Sequence, residues 1–290
     1  MDQSSTLRKM ASQNVRSGAS RGHSTHVLSV TSGKGGVGKS NLVVNVAIAL
    51  AQRRKRVLVL DADMGLANVD ILIGMTSRHN LSHVLSDAKR LEEVICEGPS
   101  GIHVLPASSG VEWMANLTVD QKVTFLQKMD ALNGLYDILL IDTGAGISSN
   151  VVYFNLAAQT RIVMVTPEPT SLTDAYALIK VLHLTYHLKT FEVVVNSVAN
   201  EKEGLEVYRN LTTVADRFLD VRLGYLGHIE RGEQVRNAVL RQTPVVDLFP
   251  DSAVAQGYRD VARRITQLPT DAMGSELGLF WRAMLGKQTE

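Results

Sequence analysis

Residues 33–40 read Gly-Lys-Gly-Gly-Val-Gly-Lys-Ser, a glycine-rich stretch carrying two lysines five positions apart. The spacing from Gly33 to Ser40 is G-x-x-x-x-G-K-[ST], which follows an apolar run and opens a helical pattern. Glycines let successive backbone N–H groups turn inward around phosphate oxygens, and the helix start adds its partial positive charge. Gly33, Lys34, Gly35, Gly36, Val37, Gly38, Lys39, Ser40 and Asn41 are therefore the candidate nucleotide-binding residues. Lys39 is expected to neutralise the β- and γ-phosphate oxygens, and Ser40 to ligate Mg²⁺. One lysine is enough for that chemistry, so Lys34 needs a separate explanation.

Acidic residues stand at the ends of two more apolar runs. "RVLVLD" from Arg56 ends at Asp61, with Asp63 two residues on and so on the same side of the strand. "DILLID" from Asp137 ends at Asp142, an apolar strand closing on a carboxylate of the kind that contacts Mg²⁺ through water. Two carboxylates beside a phosphate site repel the nucleotide unless a metal or a water uses them. A capping and turn cluster before the next helix is the alternative reading of Asp61 and Asp63.

The elements that must position these groups alternate. Strand patterns start at His26, Arg56, Ile102, Asp137, Arg161, Phe191 and Leu223, and most are continuous apolar runs, as expected for strands buried on both faces. Helical patterns lie between them at 41–52, 119–132, 172–186 and 205–218, with another at 252–265. This predicts an α/β fold, a doubly wound, mostly parallel sheet with helices on both faces. Ligands in such sheets sit beyond the carboxyl ends of the strands, where Lys39, Asp61 and Asp142 fall.

With these motifs in place, "KGGVGKS" resembles the deviant phosphate loop of the MinD/ParA class of ATPases. The resemblance extends over essentially the whole chain and implies a weak ATPase that uses ATP/ADP and Mg²⁺ and forms a homodimer when ATP is bound. It implies that Lys34 reaches across a face-to-face dimer to the partner's nucleotide; a solvated lysine that steers anions is the alternative. It makes "LDADMG" the first switch, with Asp63 positioning the attacking water and Asp61 a supporting carboxylate. "DTGAG" resembles the second switch, with Gly144 where many members carry proline. Asn196, ending "FEVVVN", resembles the asparagine that bonds the adenine edge, and Ile229 and Glu230 align with a loop against the base, where many members have Ile-Pro.

Within the class, "DADMGLANVDILIG" and "PEPTSLTDAYALIK" are similar to the flagellar-number regulators known as FlhG or FleN. That branch implies control of polar flagella, with a FlhF-type GTPase, flagellar switch-complex proteins and the master flagellar transcription activator as partners. "DQSSTLRKM" resembles the branch's N-terminal partner-binding helix, matching at Asp2, Gln3, Leu7 and Arg8, with Thr6 in place of glycine. A division-site regulator of the MinD type and a DNA-cargo segregation ATPase remain the alternatives.

Composition limits the choice. The 290 residues carry a net charge of +1, which gives no global pull toward nucleic acid, and direct nucleic-acid binding is disfavoured. The basic run Arg53–Arg56 sits between a helix and a strand and reads as a solvated turn. Cys96 is the single cysteine, read as a buried or half-buried hydrophobe, so neither a disulfide nor a cysteine-ligated cluster is available within one chain. No signal peptide or spanning segment is evident, and a cytoplasmic protein is expected.

The expected organisation is a flexible N-terminal segment with a short partner-binding helix at 1–25, an ATPase domain at 26–270, and a tail at 271–290. In the tail, Leu277, Phe280, Trp281, Met284 and Leu285 fall at helical spacing on one apolar face. Such a segment suits either the interface of the inner membrane or packing on its own domain. Paired in an ATP-bound dimer, two tails would hold a membrane far better than one, giving ATP-dependent peripheral attachment, by resemblance at a cell pole.

Overall fold

The computed structural model describes residues 25–63, 69–106, 128, 132 and 134–269. The candidate partner residues Asp2, Gln3, Leu7 and Arg8, the tail residues Leu277, Phe280, Trp281, Met284 and Leu285, and most of the expected helix at 119–132 lie outside them.

In chain order the strands are β1 (His26–Ser32), β2 (Val57–Ala62), β3 (Cys96–Glu97), β4 (His103–Pro106), β5 (Ile138–Ala145), β6 (Thr160–Val165), β7 (Thr190–Val198) and β8 (Arg222–Glu230). They form one sheet in the order β3-β4-β2-β5-β1-β6-β7-β8. Every pairing is parallel except that of β3 with β4. The doubly wound sheet expected from the alternating pattern is present. The two-residue strand β3 was not anticipated, because so short an edge has no periodicity to read.

The described helices are α1 (Lys39–Gln52), α2 (Val69–Leu72), α3 (Leu81–Leu85), α4 (Leu91–Val94), α5 (Ser149–Ala157), α6 (Pro169–Tyr186), α7 (Glu201–Phe218), α8 (Glu233–Leu240), α9 (Val245–Leu248) and α10 (Ala253–Ile265). On one face α1 lies between the sheet and α10, so it is buried nearly all round, from Leu42 to Leu50. Mid-helix, the buried Asn45 side chain donates to Asn41 O at 2.8 Å and accepts from Val246 N at 3.0 Å, tying α9 to it. On the other face α6 and α7 cover Val163, Val165, Phe191, Val193 and Val195, while α3, α4 and α5 cover β2 and β5.

Strand β1 sits between β5 and β6, where the winding direction reverses, and the phosphate-loop motif follows its carboxyl end. The topology thus delivers the motif to the crevice where open α/β sheets bind ligands.

Candidate functional site

The start of α1 is built for an anion. Gly38 precedes it at φ 96°, a left-handed conformation that suits glycine, and no side chain caps the helix. Its first N–H groups are left for an external acceptor. Gly36 is also left-handed, at φ 76°. Gly33 has a different reason to be glycine: a Cβ there would lie 2.1 Å from the backbone carbonyl of Asp174, so α6 runs directly against the loop. Val37 is buried in the core beneath the loop.

Lys39 is buried, with Nζ donating to Ser32 Oγ at 3.0 Å, and Ser32 Oγ in turn donates to Lys34 O at 2.7 Å. Burial lowers the Lys39 pKa, while the Asp142 and Asp63 carboxylates act against that shift. Asp142 is wholly buried, and neither carboxylate oxygen has a hydrogen-bond partner. Burial raises its pKa, and the nearby Ser40 hydroxyl offsets part of the rise without making a bond of good geometry. Strand register sets Asp61 directly beside Asp142. Asp61 is 2% exposed, and its pKa is raised chiefly by burial, with the bond from Val69 N to Oδ2 at 3.3 Å acting against it.

A buried carboxylate with two orphaned oxygens facing a phosphate-loop serine needs a counter-charge. Ser40 and Asp142 fit a hydrated divalent cation, with the carboxylate acting through metal-bound water. Asp63, half-buried, points toward the second switch: a Cβ on Gly144 would lie 3.6 Å from Asp63 Oδ1. The two switch segments therefore lie close to each other.

Lys34 turns away from this cluster. Its Nζ pairs with Glu168 and reaches Thr170 Oγ1 at 3.1 Å, both at the start of α6, with the lysine side chain 38% exposed. Asn196 is brought to the loop, where its Nδ2 donates to Val37 O at 2.7 Å. Ile229 is fully buried, packed against Gly257, so its side chain belongs to the core, whereas the neighbouring Glu230 is half-buried. Asn41 is half-buried in the first turn of α1. Cys96 is half-buried, as expected.

Ser32, Glu168 and Thr170 were not singled out from sequence. An acid just beyond the end of β6, on the ligand edge, is the signal that could have found Glu168.

A sequence profile for an AAA domain matches residues 25–193. The antiactivator FleN of Pseudomonas aeruginosa is 43% identical over 86% of this chain and 89% of its own length. The chain belongs to the MinD/ParA family of P-loop ATPases. The flagellum site-determining protein YlxH of Helicobacter pylori is 33% identical over 86% of this ATPase and 85% of its own length. Among solved structures, the MinC:MinD cell division complex of Aquifex aeolicus superposes with a TM-score of 0.66 at 27% identity, covering 85% of this chain and 97% of that one. The septum site-determining protein MinD of Pyrococcus horikoshii, complexed with Mg-ADP, gives a TM-score of 0.65 at 25% identity, covering 83% of this chain and 96% of that one. This ATPase binds nucleotide and Mg²⁺.

Proposed function

We propose that this ATPase is a dimerising switch that controls the number and placement of polar flagella. The observation that carries the reading is the 43% identity to an antiactivator across 86% of the chain. The likeness to a flagellum site-determining protein points the same way.

The chemistry is in-line transfer of the γ-phosphoryl group to water, in which positioning and charge stabilisation dominate. Backbone N–H groups at 35–40 hold the phosphates, and buried Lys39 offsets their charge. Bound Mg²⁺, held by Ser40 and through water by Asp142, would supply charge neutralisation on the phosphate oxygens. Asp63 orients the attacking water and Asp61 supports it. Asn196 and the loop around Glu230 face the base, and an Asn amide matches the donor and acceptor edge of adenine, which favours ATP.

Lys34 reads the nucleotide of a second copy, so dimerisation reports the ATP state. In this copy it is held by Glu168 and Thr170 and must leave them to do so. Through Asp2, Gln3, Leu7 and Arg8 the chain engages a FlhF-type GTPase. The switch-complex proteins and the flagellar transcription activator are its other partners, and the apolar face Leu277, Phe280, Trp281, Met284 and Leu285 attaches the ATP dimer to the inner membrane at a pole.

The test is a count of flagella per cell by electron microscopy in a strain lacking the gene, beside minicell frequency. Extra polar flagella with normal division are expected. Minicells with normal flagella would move the protein to division-site control and overturn the partner set.

A further inference from the structure

Ser32 ends β1 immediately before the phosphate loop, is wholly buried, and bonds three parts of the site at once. Its Oγ accepts from Lys39 Nζ at 3.0 Å and donates to Lys34 O at 2.7 Å. Its main-chain carbonyl accepts from Gly146 N, in the second switch, at 2.9 Å. Chemistry fixes the order of protons along the side-chain bonds. An ammonium has donors only, so the hydroxyl must accept from Lys39, and its single proton is left for the Lys34 carbonyl.

The first bond aims Lys39. An ammonium carries three N–H donors; with one held by Ser32 Oγ, two remain for phosphate oxygens. The hydroxyl thus sets the direction in which this buried lysine presents its charge.

The second bond acts on the loop. Side chains tie its carbonyls at two places, Lys34 O through Ser32 and Val37 O through Asn196 Nδ2. Between the ties lie Gly35 and Gly36, both exposed. A Cβ on Gly35 would meet Ala145 Cβ at 3.9 Å, and one on Gly36 would meet nothing within 4 Å among the described residues. Packing therefore does not hold this turn, and its tied ends do. The end tied by Ser32 is the residue whose side chain must reach a second copy. A hydroxyl that accepts from a cation also donates more strongly, because bonds in a chain polarise one another. The hold on Lys34 O thus depends on where the Lys39 ammonium sits.

We propose that Ser32 is a positioning residue that couples the two lysines. Through its hydroxyl, the lysine that holds the nucleotide in its own chain fixes the stretch of loop from which the other lysine reaches a second copy. The proposal rests on the reading of Lys34 as a residue that acts in trans. It also supplies its own control: the second switch bonds the main chain of Ser32, so removing the hydroxyl cuts the two lysine bonds and keeps the bond to Gly146.

The test compares the full chain with Ser32→Ala, which loses the hydroxyl, and Ser32→Thr, which keeps one. Sedimentation at saturating Mg²⁺ and a non-hydrolysable ATP analogue gives the protein concentration at half-dimerisation, free of any change in nucleotide affinity. That concentration should rise about tenfold or more in Ser32→Ala, from a hydrogen bond lost in each of two copies, and stay within about threefold of wild type in Ser32→Thr. Calorimetry should show Ser32→Ala binding the analogue several-fold more weakly, since Lys39 is no longer aimed. A hydroxyl that serves folding alone would lower the thermal midpoint and leave dimerisation at saturation unchanged. Half-dimerisation at the wild-type concentration in a folded Ser32→Ala therefore overturns the proposal. So does a Ser32→Thr that has the wild-type thermal midpoint yet dimerises no better than Ser32→Ala. Should Ser32→Ala not fold, Ser32→Cys replaces it, with a weaker donor of similar size, and must still dimerise less readily than wild type. A wild type that stays monomeric with the analogue overturns the trans reading of Lys34 itself, a failure told apart from that of Ser32 by the wild-type measurement alone.

Discussion

Lys34 and Lys39 are the same residue type in one loop and have opposite environments. Lys39 is buried on Ser32 among carboxylates, and Lys34 is half-exposed on Glu168 and Thr170. Lys34→Ala should therefore keep nucleotide binding and lose ATP-dependent dimerisation in light scattering; normal dimerisation would sink its role in trans. Glu168→Gln removes the ion pair that holds Lys34 in its own chain. A partly exposed pair is worth up to ~1 kcal/mol and two such pairs break per dimer, so the protein concentration needed for half-dimerisation in ATP should fall up to about thirtyfold. Asp63→Ala should accumulate an ATP-bound dimer with little phosphate production, and a variant that stays monomeric in ATP would contradict the water-positioning role. Lys39, Ser40 and Asp142 were legible because their motif spacing carries a mechanism. Glu168 was not legible as a partner of Lys34, because 134 residues separate them and only the fold brings them together.

Strands were easier to read than the contacts between elements. Continuous β-branched runs such as "FEVVVN" leave no choice but a strand buried on both faces, and β7 pairs on both sides. Helices α6 and α7 begin earlier than their apolar patterns, at Pro169 and Glu201, since Pro at a first position and an Asn200 cap set the start rather than hydrophobicity. The role of Gly33 shows what a motif conceals. Its spacing reads as phosphate binding, yet its lack of a side chain is required by the backbone of α6. Gly33→Ala should cost ~3 kcal/mol or more in urea unfolding, because backbone must move to admit a methyl. Gly35→Ala has its nearest neighbour at 3.9 Å and should change stability by less than ~0.5 kcal/mol. Equal losses at the two positions would show that α6 yields easily and that packing is not what fixes Gly33.

At the scale of the molecule, the sheet gathers its chemistry at one end of its strands and lines the opposite end with polar contacts, among them the Arg56–Asp137 ion pair. At the amino end of β1, Thr25 Oγ1 donates to Tyr136 O at 2.8 Å, and His26 Nε2 meets Thr160 Oγ1 at 2.9 Å. His103 Nδ1 lies 2.6 Å from the Tyr136 hydroxyl in the same region of β4 and β5. Nothing in the sequence distinguished these histidines from surface ones, because their burial follows from strands that pair across more than thirty residues. Both are held neutral: burial lowers the His26 pKa to about 4 and lowers that of His103. An unfolded histidine takes up a proton near 6.5, so between pH 6.5 and 4 the unfolded chain binds more protons at these two histidines than the folded one, while the raised pKa values of Asp61 and Asp142 act in the opposite sense. The histidine contribution is therefore full above pH 6.5 and is lost progressively as pH falls through that window. His26 alone contributes a loss of order 3 kcal/mol by pH 4 at 1.36 kcal/mol per pKa unit. In urea unfolding of the full chain between pH 6.5 and 4, His26→Gln, which can keep a hydrogen bond to Thr160, should shift the pH slope by the loss of the His26 contribution. A slope of the same size in the variant would move the acid sensitivity from the base of β1 to the remaining titratable groups of the sheet.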